Sequence, residues 1–330
     1  MINKATIARK AALQVAVSSL MHFLVDGLCI SCVYLMTWPF DIPQLAGILL
    51  TYNVLAFLTQ PVTGHWTDSC RQRHWLLLTA VLLLTMAVLA TACVVTVRPS
   101  VTGMFGVAVL LGLGNSLFHV WGGQLTAVST ANAIRAVGTF VSTGAMGLAV
   151  GFVYYSWPMV YVFLLMLVAL AVASVAMTGG TAVEQRSTAA AHEAFAHRHG
   201  WLLAGLAMVA LMAFVLGRSY VGQAFSAGMP KGSTVMLAVG AVSMAGKMAG
   251  GWLARWWGVV PSMAAVVIAV AACLLLRDSG TAVLVAGLFL INCTMAVTLY
   301  LANIVLAGHE GLAFGLLAAA LMPGYLLAML

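Results

Sequence analysis

Charge is what this sequence has least of. Only 6% of its 330 residues are Asp, Glu, Lys or Arg, and seven of them are acidic, against roughly a quarter charged in a soluble domain. With 63% hydrophobic residues, the chain carries more apolar side chain than a water-soluble core can enclose, which excludes an ordinary soluble enzyme or binding module. The short alternating segments of a membrane β-barrel are missing too. Apolar stretches instead run uninterrupted for roughly 18 residues and more, the length that crosses a bilayer as a helix. No phosphate-cradling loop, nucleophile triad or metal-hydrolase motif occurs, so the sequence reads as a non-enzyme with no cofactor and no resident metal. Its cysteines, Cys29, Cys32, Cys70, Cys93, Cys273 and Cys293, have no framework spacing and read as free thiols. Cys29 and Cys32 form a CxxC, but inside a hydrophobic helix, where a thioredoxin-like role does not fit.

What is present is a series of spans, at about 11–38, 44–66, 75–97, 101–126, 131–156, 158–178, 200–225, 232–254, 259–276, 279–306 and 311–330. The first is longer than a signal peptide's apolar core and has no clear cleavage site, so it counts as a span. With the amino terminus in the cytoplasm, Lys4, Arg9, Lys10, Arg71, Arg73, Arg135, Arg186, Arg198 and Arg255 fall inside, and Arg98, Lys231 and Arg277 outside. That bias accounts for the net charge of +7 without a nucleic-acid partner. Trp38, Trp66, Trp75, Trp157, Trp201, Trp252, Trp256 and Trp257 sit at or near span ends, where indole rings favour the headgroup boundary. The expected setting is a cell membrane, a bacterial inner membrane, crossed many times by a monomer.

One long polar stretch, "GGTAVEQRSTAAAHEAFAHRHG", interrupts the spans. It divides the chain into a six-helix amino-terminal bundle (1–178), a cytoplasmic linker (179–199) and a carboxyl-terminal bundle of about five helices (200–330). His192, His197 and His199 lie in this linker without the Cys or carboxylate partners of a strong metal site. Glycines hint at an internal repeat. Gly138 and Gly147 recur as Gly315 and Gly324, and "GHWTD" after the second span echoes "GWLAR" at the end of the eighth, aligning Gly64 with Gly251. Parallel halves with a substrate site between them are one architecture of secondary transporters.

At these residues the sequence resembles the major facilitator superfamily. "GHWTDSCRQR" is similar to that family's gating signature, with Gly64, Asp68, Arg71 and Arg73 in the matching positions. Gly138, Gly147 and Gly151 are similar to the glycine spacing of its antiporters, with Phe152 in the proline position. The nearest resemblance is to fosmidomycin-resistance-type exporters, carried by His22, Phe23 and Asp26, by "GLGNSLFH" ending in Phe118 and His119, and by "LGRSY" around Arg218. Val120 stands where that group has proline, Arg255 stands where members often carry Asp, and a twelfth span is absent. The resemblance implies an all-α, two-bundle fold and proton-coupled export.

Ionisable residues inside spans are expensive and mark function. Here they are His22 and Asp26, one turn apart on the first span, Arg218 on the seventh and Lys247 on the eighth. If the halves face each other, Asp26 and Arg218 are natural counter-charges. His119, one turn after Asn115, is an imidazole that titrates near neutrality. Asp26, His119 and His22 are thus expected to handle protons. Arg218, Lys247, Asn115, Asn53, Tyr220, Gln223 and Asn292 are expected to meet substrate, and the excess of cations favours a small anionic or polar one. Gln60, Gln124 and Asn303 are further polar candidates, for which interhelical hydrogen bonds are the plainer reading. Two rivals remain open: a transition-metal or metabolite permease of the same fold, with His22, Asp26 and Cys29 on one helix face, and a membrane receptor that transports nothing.

Overall fold

The structure, a computed structural model, describes residues 4–37, 42–70, 74–97, 99–178, 198 and 200–328. Arg71, Arg73 and the linker histidines 192, 197 and 199 lie outside the described residues. Among the described residues twelve α-helices form and no strand. They are α1 (Lys4–Thr37), α2 (Ile42–Leu58), α3 (Gln60–Ser69), α4 (His74–Ala92), α5 (Val101–Ser129), α6 (Ile134–Val153), α7 (Trp157–Thr178), α8 (Trp201–Ala227), α9 (Ser233–Trp257), α10 (Val259–Leu275), α11 (Thr281–Val305) and α12 (Glu310–Leu327). In hydrocarbon a backbone must satisfy its own polar groups, so apolar runs of this length become helices.

Ten helical segments are long and apolar enough to cross a membrane, α2 and α3 joining into one from Pro43 to Ser69; α10, at 17 residues, is the eleventh and shortest. The count is roughly consistent with the eleven expected spans. Breaks follow local chemistry. Pro61 near the start of α3 has no N–H to donate, and Thr59 there keeps a helical backbone, so the span is interrupted without a loop. Gly258 closes α9 and opens α10 with φ 89°, a conformation that lets one residue serve as the whole turn.

The same packing pairs occur twice. In the first half, α1 packs on α5 and α6, while α2 and α4 pack on α5; in the second, α8 packs on α11 and α12, while α9 and α10 pack on α11. The halves meet chiefly where α6 lies against α9 and α3 against α12, with smaller contacts of α2 and α5 to α12 and of α6 to α11. Apolar lipid gives helices little hydrophobic reason to associate, so close approach at small residues has to supply the packing. The repeating glycines do this in matched pairs. Gly147 lies on the backbone of Phe23 as Gly324 lies on that of Leu216, and Gly138 meets Lys247 across the α6–α9 contact as Gly315 meets Gln60 across α3–α12. Gly64 abuts Gly311, and Gly251 abuts Ile134. A Cβ at any of these seven glycines would crowd a backbone atom of the facing helix.

Candidate functional site

α1 places His22 and Asp26 one turn apart, both inward and both at least nine-tenths buried. Asp26 Oδ2 lies 3.3 Å from His22 Nε2, and its Oδ1 lies 3.4 Å from Nε2 of His119 on α5. Asn115, one turn before His119, donates from Nδ2 to Asp26 Oδ1 at 3.0 Å. The imidazoles stand edge to face, with centroids 4.4 Å apart. Each ring turns its other nitrogen to a backbone carbonyl: His22 Nδ1 is 2.8 Å from the oxygen of Phe140 on α6, and His119 Nδ1 is 2.9 Å from that of Asn115. Gly144 lets α6 close over the group, since a Cβ there would run into the Asp26 carboxylate and the His22 ring. The cluster is therefore shielded by α5 and α6 rather than turned to lipid.

Those carbonyls fix the chemistry. A carbonyl only accepts, so Nδ1 of each ring carries the hydrogen. In the neutral form each Nε2 then presents a lone pair to a carboxylate oxygen. Three acceptors converge, and an ionised Asp26 between two neutral rings has its best neighbour in Asn115 alone. A proton placed on either Nε2 turns a repulsive contact into a charge-assisted hydrogen bond.

Two expectations change. Asp26 and Arg218 form no ion pair; the carboxylate is partnered by His22, His119 and Asn115, all residues of its own half. Helical pattern alone gives the face a residue occupies but not its height against another helix, so it does not decide which residues meet across the two halves. Cys29 does not join His22 and Asp26 as a donor. Its thiol turns to Asn115 Nδ2, at 3.8 Å, and to Tyr52 of α2, and His119 takes the third position.

Of the remaining candidates, Arg218 is 8% exposed and makes no hydrogen bond or ion pair with any described residue. Lys247 is partly buried, and Asn292 donates to Leu288 O at 2.8 Å and reaches Ser243 Oγ at 3.5 Å. Asn53 donates to Leu49 O in its own helix, and Gln223 is partly buried. Tyr220 is 48% exposed; two residues rotate a helix by about 200°, so it faces away from Arg218. A cavity of about 660 Å³ between α9 and α11 is lined by apolar residues such as Ala245, Ala286 and Phe289 and touches none of these groups.

At the far end of the α3–α12 contact, Asp68 accepts from the backbone N–H groups of Gly311 and Leu312, each at 2.8 Å, and from Gln124 Nε2 at 2.6 Å. Its partners are the free donors of the α12 N-terminus, where a carboxylate is favoured by the helix dipole as well. Gly64, one turn earlier, lets the two helices touch there. Gln124 makes the interhelical hydrogen bond that was its plainer reading, whereas sequence reasoning did not foresee the part of Gly144. The signal for Gly144 was its three-residue spacing to Gly147, which is itself four residues from Gly151. On the same side, Asn132 donates to Tyr300 O at 3.1 Å and accepts from Asn303 at 2.9 Å, linking the halves again.

Eleven apolar helices, two packing sets of the same design and a polar group at the centre of one of them define a major facilitator-type two-bundle fold. Solved structures of that fold are similar to the chain throughout its length. The fucose:proton symporter FucP of E. coli, in the outward conformation, aligns with a TM-score of 0.69 at 11% identity, covering 97% of this chain and 91% of that one. The human organic anion transporter MFSD10 aligns at TM-score 0.56 and 17% identity, covering 97% and 92%. A bacterial homologue of the iron transporter ferroportin, outward-facing, aligns at 0.55 and 16%, covering 96% and 89%. No family model matches the sequence, and no curated protein is similar to it at the sequence level.

Proposed function

We propose that this chain is a secondary transporter that moves a small polar or anionic compound across a bacterial inner membrane by alternating access, coupled to protons through His22, Asp26 and His119. One observation carries the reading: two imidazoles, each fixed by a backbone carbonyl, aim their free nitrogens at the same buried carboxylate. Such a group binds protons reversibly and serves no packing purpose that apolar residues would not serve better. Each chain holds the whole cluster, so a monomer suffices. Residues 1–178 and 200–330 rock as two bundles, and Asp68 and Gly64 hold their cytoplasmic ends together in the conformation described here. Arg218, Lys247, Asn115, Asn292, Asn53 and Gln223 surround the solute's path. Whether solute and proton move together or in exchange depends on whether they help or hinder each other's binding.

Asp26→Asn tests the reading. The amide keeps the shape and removes the proton-binding charge. In proteoliposomes under an imposed pH gradient, the wild type collapses the gradient when a transported solute is present, and the variant, inserted at the same density, does not. Full gradient-driven flux in Asp26→Asn would remove the mechanism.

A further inference from the structure

The side chains around Asp26 are arranged for a larger guest than a proton. With Nδ1 of each ring turned to a carbonyl, both Nε2 lone pairs and the carboxylate converge on one space. A single proton there bridges only one of the two contacts between nitrogen and oxygen. Protons on both rings would bridge both, but at the cost of two imidazolium ions with centroids 4.4 Å apart. A cation that takes all three donors at once meets no such conflict.

The spacing fits such a cation. One donor atom from each of His22, Asp26 and His119 lies within 4.8 Å of the other two. A tetrahedral ion about 2.0–2.1 Å from its ligands holds neighbouring donors about 3.3–3.4 Å apart, and the two separations of nitrogen from carboxylate oxygen are 3.3 and 3.4 Å. The groups behind the donors fit as well. A metal-bound imidazole hands its other N–H to a carbonyl or carboxylate, and a metal-bound carboxylate is itself hydrogen-bonded, which fixes the ligands before the ion arrives. Here Phe140 O and Asn115 O take the two Nδ1 hydrogens, and Asn115 Nδ2 donates to Asp26 Oδ1.

The donor set selects the ion. Two imidazoles and a carboxylate suit Zn²⁺, Fe²⁺ and their first-row neighbours. Mg²⁺ and Ca²⁺ require oxygen ligands, and Cu(I) requires thiolates or thioethers. Cys29 offers no thiolate to the group, since its sulfur is turned to Asn115 at 3.8 Å. Three protein ligands leave a fourth position for water or a solute. His119 keeps 13% of its side-chain surface exposed, so the group is not sealed on every side.

We infer that His22 Nε2, the Asp26 carboxylate and His119 Nε2 form a binding site for a divalent first-row transition-metal ion of the zinc and ferrous class. The inference uses the side chains of the proton reading but does not rest on it, because it needs only the convergence of the three donors and the hydrogen bonds behind them.

Co²⁺ is the probe, because its visible absorption reports the ligands and their number. Full-length protein, stripped with a chelator and carrying no histidine tag, is titrated with CoCl₂. One ion per chain is expected at this site, displaced by Zn²⁺ and not by excess Mg²⁺. Replacing His192, His197 and His199 of the linker by glutamine removes any ion held there and should leave this one. X-ray absorption of that variant loaded with zinc keeps all three ligands, and should show nitrogen and oxygen at about 2.0–2.1 Å with no sulfur at about 2.3 Å. Asp26→Asn and His119→Gln, each checked for wild-type thermal stability without metal, should weaken binding by about 100-fold or more, and Asn115→Ala, which keeps the ligands, by about 10-fold. No retained ion, a sulfur shell, or binding undiminished in Asp26→Asn overturns the site. If no ion binds while flux still follows the pH gradient, the metal site alone falls. If the ion binds as expected while Asp26→Asn keeps full gradient-driven flux, the proton reading alone falls.

Discussion

Asp68→Ala should open the end of the molecule where α3 meets α12. The carboxylate accepts two backbone N–H groups at the α12 N-terminus and one amide hydrogen from Gln124, all within 2.8 Å. Hydrogen bonds to a charged group contribute about 1.5–3 kcal/mol each. Allowing for water taking over the donors once the carboxylate is gone, the two backbone bonds together favour the closed arrangement by about 3 kcal/mol. That corresponds to a shift of ~100-fold in the ratio of closed to open forms. A closed population of about 99% would fall to near one half. The change is readable as a distance between spin labels at His65 on α3 and Arg255 on α9, both exposed, in protein whose accessible Cys70, Cys93 and Cys273 have been replaced by alanine. The variant should show a second, longer distance of comparable weight that the parent lacks. An unchanged distribution would mean that the glycine contacts alone hold this end shut, and the argument from the helix terminus would fail.

Gly144→Ala forces a methyl into the Asp26 carboxylate and the His22 ring; a loss of about 1–3 kcal/mol is expected, seen as a lower thermal midpoint in detergent. Gly205→Ala on α8, with open space around it, is the control and should leave the midpoint unchanged or slightly raised. Asn132 has a φ of 55° and joins Tyr300 to Asn303. Asn132→Gly keeps the backbone comfortable and loses only the hydrogen bonds, while Asn132→Ala adds the strain of a left-handed alanine, about 1–2 kcal/mol more; equal midpoints for the two would show that the turn relaxes.

The membrane class and the helix count were legible because lipid leaves few options: an apolar run of sufficient length has to be a helix, and charge bias at its ends sets its direction. His22, Asp26 and His119 were legible for a related reason, as intramembrane ionisable groups one turn from other polar residues. The contact between helices was not legible. Asp26 pairs with His119 and Asn115 of α5 rather than with Arg218, and α6 and α9 meet at Gly138 and Gly251, a vertical register that no single helix encodes. Tyr220, expected to meet substrate, is half exposed, because two positions along a helix from Arg218 reverse the direction of the side chain. Gly144 carried its message in plain view: glycine is the residue that leaves room for a neighbour, and the neighbour it leaves room for is the cluster.

The two histidines are anchored differently. His119 leans on a carbonyl of its own helix, so its ring keeps the same hydrogen placement however the helices travel. His22 leans on Phe140 of α6, the helix that also carries the contact to α9. Sliding α6 along α1 by even one residue would take that acceptor away and free the ring to swap its hydrogen from one nitrogen to the other. One imidazole is thereby a constant and the other a gauge of where α6 stands.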